Sequence, residues 1–219
     1  MKTQFKIIDN YLTKSYHEEI LERLTGKIFP WYYSSNSTEP KWVVGPPIFN
    51  EYGFSHSFWE NDVMNGDGLE GNHYFTNNFA TFIKPFLLQV MDTIGCDTIL
   101  RCRADMVTWS PKEFIHPAHI DYSFPNAATI YYVNDTDGDT LLYGKDAFDK
   151  DIKIDQDRFG KLSQTIDGGC LSMEIQERIS PKANRLVMFD GNLLHTGSSP
   201  TQHKTRILLN SNFSLTKPL

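Results

Sequence analysis

Arg185-Leu-Val-Met-Phe-Asp-Gly-Asn-Leu-Leu-His195 reads as a short apolar strand, an Asp-Gly turn, and a histidine delivered just beyond that turn. A run of this length and composition, closed by Asp-Gly, is a strand signal rather than a helix signal. The same texture repeats through the second half of the chain. Stretches 98–108, 127–133, 140–143, 170–175 and 205–213 are β-rich, with Asp137-Gly138 and Asp167-Gly168 as further turn candidates. Many short strands behind a helical N-terminal portion predict a mainly β fold with flanking helices: a sandwich or jelly-roll, cupin-like barrel supported by N-terminal α-helices.

The first half is written differently. Phe5–Ile8 is a strand candidate, and Asp9-Asn10 offers a cap before a helix over 15–24, where Tyr16, Ile20, Leu21 and Leu24 recur at helical spacing. From 29 to 58 the text is aromatic and irregular, broken by Pro30, Pro40, Pro46 and Pro47. Trp31, Tyr32, Tyr33, Trp42, Phe49, Tyr52, Phe54 and Trp59 are expected to pack N-terminal elements on the barrel. Asn65-Gly66-Asp67-Gly68 marks an exposed loop. Helical spacing resumes over 75–94, with Phe79, Phe82, Ile83, Phe86, Leu87 and Val90 on one broad face despite Pro85. The expectation is a single domain over 1–219, with 1–95 as a helical, substrate-side portion and 96–219 as the barrel.

Composition narrows the function classes. With 40% hydrophobic and 13% aromatic residues, the 219-residue chain can bury a good core. A net charge of −6 makes nucleic acid an unexpected partner. Three cysteines, odd in number and without a C-x-x-C pair, suit a reduced protein better than a disulfide framework or a zinc site. No apolar run has signal-peptide or membrane-span length, so the expectation is a soluble cytoplasmic protein without a membrane partner.

The chemistry concentrates in three places. In extended chain, His119 and Asp121 leave the same face, giving two adjacent ligands for one ion. His195 supplies a third. Two imidazoles and one carboxylate form the facial ligand set that holds iron(II) and leaves positions for dioxygen and a co-substrate. Arg206 follows on the next strand, where Arg206, Leu208, Asn210 and Asn212 alternate with Ile207, Leu209 and Phe213. A row of polar groups beside an arginine suits a wet cavity in which a carboxylate is gripped bidentately. His116 and His203 are alternates for the metal. Asp135-x-Asp137-x-Asp139 lacks the glycine of a calcium loop, since Thr140 stands there, and reads as a polar hairpin tip.

The order H-x-D, distant His, then Arg resembles the iron(II)/2-oxoglutarate-dependent oxygenase superfamily on its double-stranded β-helix. Within it, Ala128-Thr-Ile-Tyr-Tyr-Val-Asn134 and Gly138-Asp-Thr-Leu-Leu142 resemble the prolyl-4-hydroxylase-like branch, over roughly 106–213. The resemblance implies iron held by His119, Asp121 and His195, and 2-oxoglutarate held by Arg206, with Tyr132 donating to the same carboxylate and Asn210 and Asn212 beside it. It implies O2-dependent decarboxylation of 2-oxoglutarate to succinate and hydroxylation of a C–H bond, a prolyl residue of a protein or peptide being the first expected prime substrate and a small metabolite the next. Trp109, where relatives often carry a tyrosine, and Tyr122 are the substrate-side candidates. Two other classes stay open: a non-catalytic β-barrel binding module, and a cupin-type metal enzyme that does not use 2-oxoglutarate.

Overall fold

In the computed structural model, which describes residues 5–35, 52–61, 73–75, 78–96, 98–146, 153–156, 162–166 and 169–215, the N-terminal portion sits against a barrel of antiparallel strands. The elements run β1 (Phe5–Ile8), α1 (Lys14–Thr25), β2 (Tyr32–Ser34), β3 (Gly53–Asn61), β4 (His73–Phe75), a 3-10 turn (Asn78–Ile83) and α2 (Lys84–Ile94). There follow β5 (Ile99–Thr108), β6 (Asn126–Tyr132), β7 (Thr140–Asp146), β8 (Lys153–Gln156), β9 (Leu162–Ile166) and β10 (Gly169–Met173). The last four are β11 (Ile175–Ile179), β12 (Arg185–Asp190), β13 (Leu193–Gly197) and β14 (Thr205–Ser214).

An eight-stranded sheet has the order β1-β12-β6-β14-β5-β3-β2, with β4 on β3; a three-stranded sheet has the order β11-β7-β13, and β10-β9-β8 form a third. The chain passes between the first two as a jelly roll does. It leaves β5 in the large sheet, meets β13 of the small one through a bridge from His119 to His195, with a second from Ile115 to Ser198 just beyond that strand, and returns to β6. From there it crosses to β7 and β11, comes back to β12, crosses to β13, and ends in β14 of the large sheet. This path is the double-stranded β-helix expected from the sequence.

Strand alternation sorts the side chains into layers. On β14, Ile207, Leu209 and Phe213 join Ala127, Tyr131, Leu186 and Met188 under the helices, where Ile20 and Leu24 of α1 and Phe86, Leu87 and Val90 of α2 pack. On the opposite face Ala128, Ile130, Tyr132, Val187, Phe189 and Leu208 meet Leu142, Ile179 and Leu193 of the small sheet. Strand β6 is buried over its whole length because both of its faces are covered. The strand expectations at 98–108, 127–133 and 205–213 thus fall on β5, β6 and β14.

Several expectations are corrected. Asp9-Asn10 does not cap α1; Thr13 is the N-cap residue, Asn10 turns the chain at a positive φ of 52°, and Asp9 pairs instead with Arg185 at 2.6 Å and Lys182 at 3.1 Å. The helical stretch over 75–94 is two elements, because Pro85 falls in the first turn of α2, where its missing N–H costs no hydrogen bond. The irregular region contains β3, a full member of the large sheet beside β5. His195 lies on a strand, β13, and H-x-D lies on extended chain with a single bridge. Trp42, Phe49, Pro40, Pro46, Pro47, the loop at 65–68 and the turn Asp167-Gly168 lie outside the described residues. Cys96 and Cys102 form no disulfide among the described residues. No helix among the described residues is long and apolar enough to cross a membrane.

Candidate metal centre

Reciprocal backbone hydrogen bonds, 2.9 Å from His119 N–H to His195 C=O and 3.0 Å in return, place these two residues directly opposite each other. Their imidazoles consequently project side by side, with ring centroids 4.7 Å apart. Asp121, two residues on, brings its carboxylate to 4.0 Å from His119 Nε2 and 3.7 Å from His195 Nε2. One ligand atom from each of the three lies within 4.8 Å of the others, and no other group of three such side chains occurs among the described residues. Neither His116 nor His203 joins them.

The tautomers suit a metal. His119 Nδ1 lies 3.1 Å from the carbonyl of Pro117, and His195 Nδ1 lies 2.9 Å from the carbonyl of Leu193. A carbonyl only accepts, so each Nδ1 carries the proton and each Nε2 presents its lone pair. Burial, with His195 nearby, pushes His119 down to about 3, against the attraction of Asp121. Burial, helped by the Arg206 charge, pushes His116 down to about 4. For Asp121 burial works the other way, but the Arg101 guanidinium and both imidazoles overcome it and hold the carboxyl well below the usual range. Arg101 Nη2 donates to one oxygen at 2.9 Å and Asn212 Nδ2 to the other at 2.8 Å.

These directions dictate the acid response of the metal-free protein. Two imidazoles kept neutral by the fold mean that the unfolded chain takes up protons first, so stability is whole above pH ~6.5 and falls below it. The loss continues to about pH 4 for His116 and about 3 for His119. Asp121 adds its own loss only below about pH 4, where the unfolded carboxylate takes up a proton that the folded one refuses. Thermal unfolding of the metal-free protein is expected to show Tm falling steadily from pH 6.5 to 5, by roughly 1–3 kcal/mol of stability; a Tm flat over that interval refutes the burial of neutral histidines.

Both histidines open onto a cavity of about 130 Å³ that also meets Thr140, Arg206, Leu208 and Asn210. Arg206 is 4% exposed. Its Nη2 donates to Thr140 Oγ1 at 2.7 Å, and among the described residues its Nε has no partner and no carboxylate touches it. Tyr132 donates to the same Thr140 oxygen at 2.6 Å. With both lone pairs of Thr140 occupied, its own hydrogen is left to donate elsewhere, and Thr140 lines the cavity. Burial pushes the Tyr132 hydroxyl above its ordinary pKa, so it stays a protonated donor. Gly197 permits the approach: a Cβ there would lie 3.0 Å from Arg206 Nη1. Gly197→Ala should displace the guanidinium by a few tenths of an ångström and weaken carboxylate binding roughly tenfold, measurable by ligand titration.

The chain matches no protein-family model, and no curated protein matches it. Solved structures do. A 2OG-Fe(II) oxygenase family oxidoreductase from Burkholderia pseudomallei superposes with a TM-score of 0.58 at 9% identity, over 96% of this chain and 84% of that one. A Trichoplax adhaerens prolyl hydroxylase, solved with a hypoxia inducible factor peptide, gives 0.54 at 14% identity, over 97% and 84%. HygX from Streptomyces hygroscopicus, with nickel and 2-oxoglutarate bound, gives 0.53 at 9% identity, over 98% and 84%. The fold is that of the 2OG-Fe(II) oxygenases.

Within this oxygenase fold, the cavity gathers His119, His195, Arg206 and Asn210 of the expected residues, with Asp121 at its metal-side edge. Tyr132 stands behind Thr140 rather than in the lining. Asn212 bonds Asp121 and does not line the cavity. Tyr122 is buried against Phe124, ring centroids 5.0 Å apart, away from the lining. Trp109 is 54% exposed, donates to the carbonyl of Thr201 at 2.9 Å and lies outside the cavity lining. The acidic hairpin tip is a clamp, in which Asp137 accepts from the backbone of Thr201, Gln202 and His203.

Sequence reasoning missed Thr140 and the inward row of β5, where Arg101, Arg103, Asp105 and Val107 stand opposite Asn212, Asn210, Leu208 and Arg206. A charged alternation on β5 was the available signal, but it reads equally well as an ordinary solvent face.

Proposed function

We propose that the chain is a non-haem iron(II) enzyme that couples O2 and 2-oxoglutarate to the hydroxylation of an unactivated C–H bond. The overall reaction is R–H + O2 + 2-oxoglutarate → R–OH + succinate + CO2. The observation that carries this reading is the buried Arg206 guanidinium, which has no anionic partner among the described residues and faces the cavity that the two imidazoles also face. A buried unpaired cation costs several kcal/mol, so the site is built for an anion supplied from outside the chain. A cupin-type metal enzyme without a keto acid has no use for it, and neither has a binding module for the imidazole pair.

The residues fit the groups. His119, Asp121 and His195 would hold the metal, their Nε2 atoms freed by the carbonyls of Pro117 and Leu193. Arg206 would take the remote carboxylate of 2-oxoglutarate, with Thr140, polarised by Tyr132, as a further donor. Iron(II) held there supplies dioxygen activation coupled to decarboxylation of the keto acid. Arg101 and Asn212 keep Asp121 ionised and fix its orientation. The resemblance to prolyl hydroxylases makes a prolyl ring the first prime substrate to try, within a peptide or as the free amino acid.

Anaerobic addition of iron(II) and 2-oxoglutarate should produce the visible metal-to-ligand charge-transfer band of a chelated keto acid, and His119→Ala should remove it. A folded, iron-loaded protein without the band would sink the co-substrate reading.

A further inference from the structure

Arg103 and Asp105 line the same cavity as His119. Their side chains leave the inward face of β5 between the register of Arg101, which holds Asp121, and that of Val107, which stands opposite Arg206. Arg103 Nε reaches Asp105 at 2.9–3.0 Å, and among the described residues neither side chain makes another hydrogen bond or ion pair, so both terminal nitrogens of the guanidinium remain available to the cavity. Neither side chain is sealed in: Arg103 is 26% and Asp105 19% exposed. The neighbouring strand makes room. On β3, Ser57 stands opposite Arg103 and Ser55 opposite Asp105, and Gly53 and Ser55 belong to the lining.

The cavity thus holds two cationic grips. Arg206 is at one end behind Thr140, and Arg103 is toward the metal, accompanied by a carboxylate. In the proposed reaction a single dicarboxylate co-substrate would occupy the first. The backbone of an internal residue in a polypeptide has neither a free carboxylate nor a free ammonium to offer the second, and burying the Arg103–Asp105 pair against uncharged backbone would cost both groups their water. A molecule carrying both charges one carbon apart matches it: a carboxylate on the two free nitrogens of Arg103, and an ammonium on Asp105.

Building on the proposed oxygenase function, we propose that the prime substrate is a free zwitterionic α-amino acid, its carboxylate held by Arg103 and its ammonium by Asp105. The side chain of that amino acid is then the part presented toward the metal.

The test uses the full chain loaded with iron(II) and 2-oxoglutarate. Binding of the twenty free L-α-amino acids is read anaerobically from perturbation of the charge-transfer band and by calorimetry, and turnover from succinate release in air. Each active amino acid is compared with its α-amide and its N-acetyl derivative. One or a few free amino acids should bind and raise succinate release at least tenfold, with both derivatives inert. Arg103→Met should weaken that binding on the order of 30-fold or more, and Asp105→Asn about tenfold. Arg103→Lys, which keeps the charge and guards against a folding defect, should retain part of it.

The band reports 2-oxoglutarate separately. Its titration should be the same in wild type and Arg103→Met; a large loss in the variant would assign Arg103 to the co-substrate and overturn the proposal. Amides or prolyl peptides as effective as free amino acids would overturn it too. So would a protein that shows the band and binds none of the twenty. Absence of the band in the wild type would instead sink the oxygenase reading beneath it.

Discussion

Arg206→Met should produce a protein more stable than the parent and nearly blind to 2-oxoglutarate. In the fold the guanidinium is buried, bonded through Nη2 to Thr140, and touches no carboxylate of the described residues. Exchanging such a cation for an apolar side chain of similar length removes its desolvation penalty, a gain of about 1–3 kcal/mol. For a chain of this size that raises Tm by several degrees. The same exchange removes the proposed bidentate partner of the co-substrate, and affinity should fall on the order of 10²–10³-fold. The two effects have opposite signs, which an ordinary packing residue cannot imitate. Calorimetry of the metal-free variant, paired with a 2-oxoglutarate titration of the iron-loaded one, checks both. A variant that loses stability and keeps its affinity would remove Arg206 from the site.

Asp121→Ala should damage fold and metal site together. Arg101 is mostly buried and donates to this carboxylate at 2.9 Å, so deleting the acid strands a cation beside Asn212. Breaking one partner out of a buried pair costs about 3–5 kcal/mol, roughly 10 °C in Tm at this chain length. Metal affinity falls as well, since the one anionic ligand is gone. Adding Arg101→Met to Asp121→Ala should return most of the lost stability while leaving the metal unbound. That split, read by thermal unfolding and by iron titration, separates the structural duty of Asp121 from its coordinating one. Recovery of metal binding in the double variant would contradict its assignment as a ligand.

Local period and motif made much of this legible in the sequence. The period-two pattern of 205–213 correctly separated Ile207, Leu209 and Phe213, which pack under the helices, from Arg206, Leu208 and Asn210, which line the cavity. The strand-turn-histidine reading of 185–195 placed His195 just past β12, although β13 itself went unread because its five residues follow the turn so closely. What stayed hidden depends on neighbours distant in sequence. Arg103 and Asp105 look like the solvent face of an edge strand, yet β3 covers β5 on that side. The strand β3 was masked in turn by the prolines and aromatic residues before it. Thr140 is an unremarkable strand residue until Tyr132 and Arg206 are both seen to donate to it. Asn212 shares a face with Arg206 as expected, but it sits far enough along β14 to reach Asp121 instead of the cavity.

The reciprocal backbone pairing of His119 with His195 has a consequence for metal supply. Because two of the three donors are stitched together by main chain, an empty site and a filled one need hardly differ in shape. Loading and release then require no unfolding, and the protein has little mechanical means of rejecting an ion of the wrong identity. Cobalt, nickel and zinc bind imidazole and carboxylate donors at least as tightly as iron(II) does. In a cell, which metal such a centre carries would be decided by which is abundant around it, and iron starvation would fill it with other ions without loss of fold.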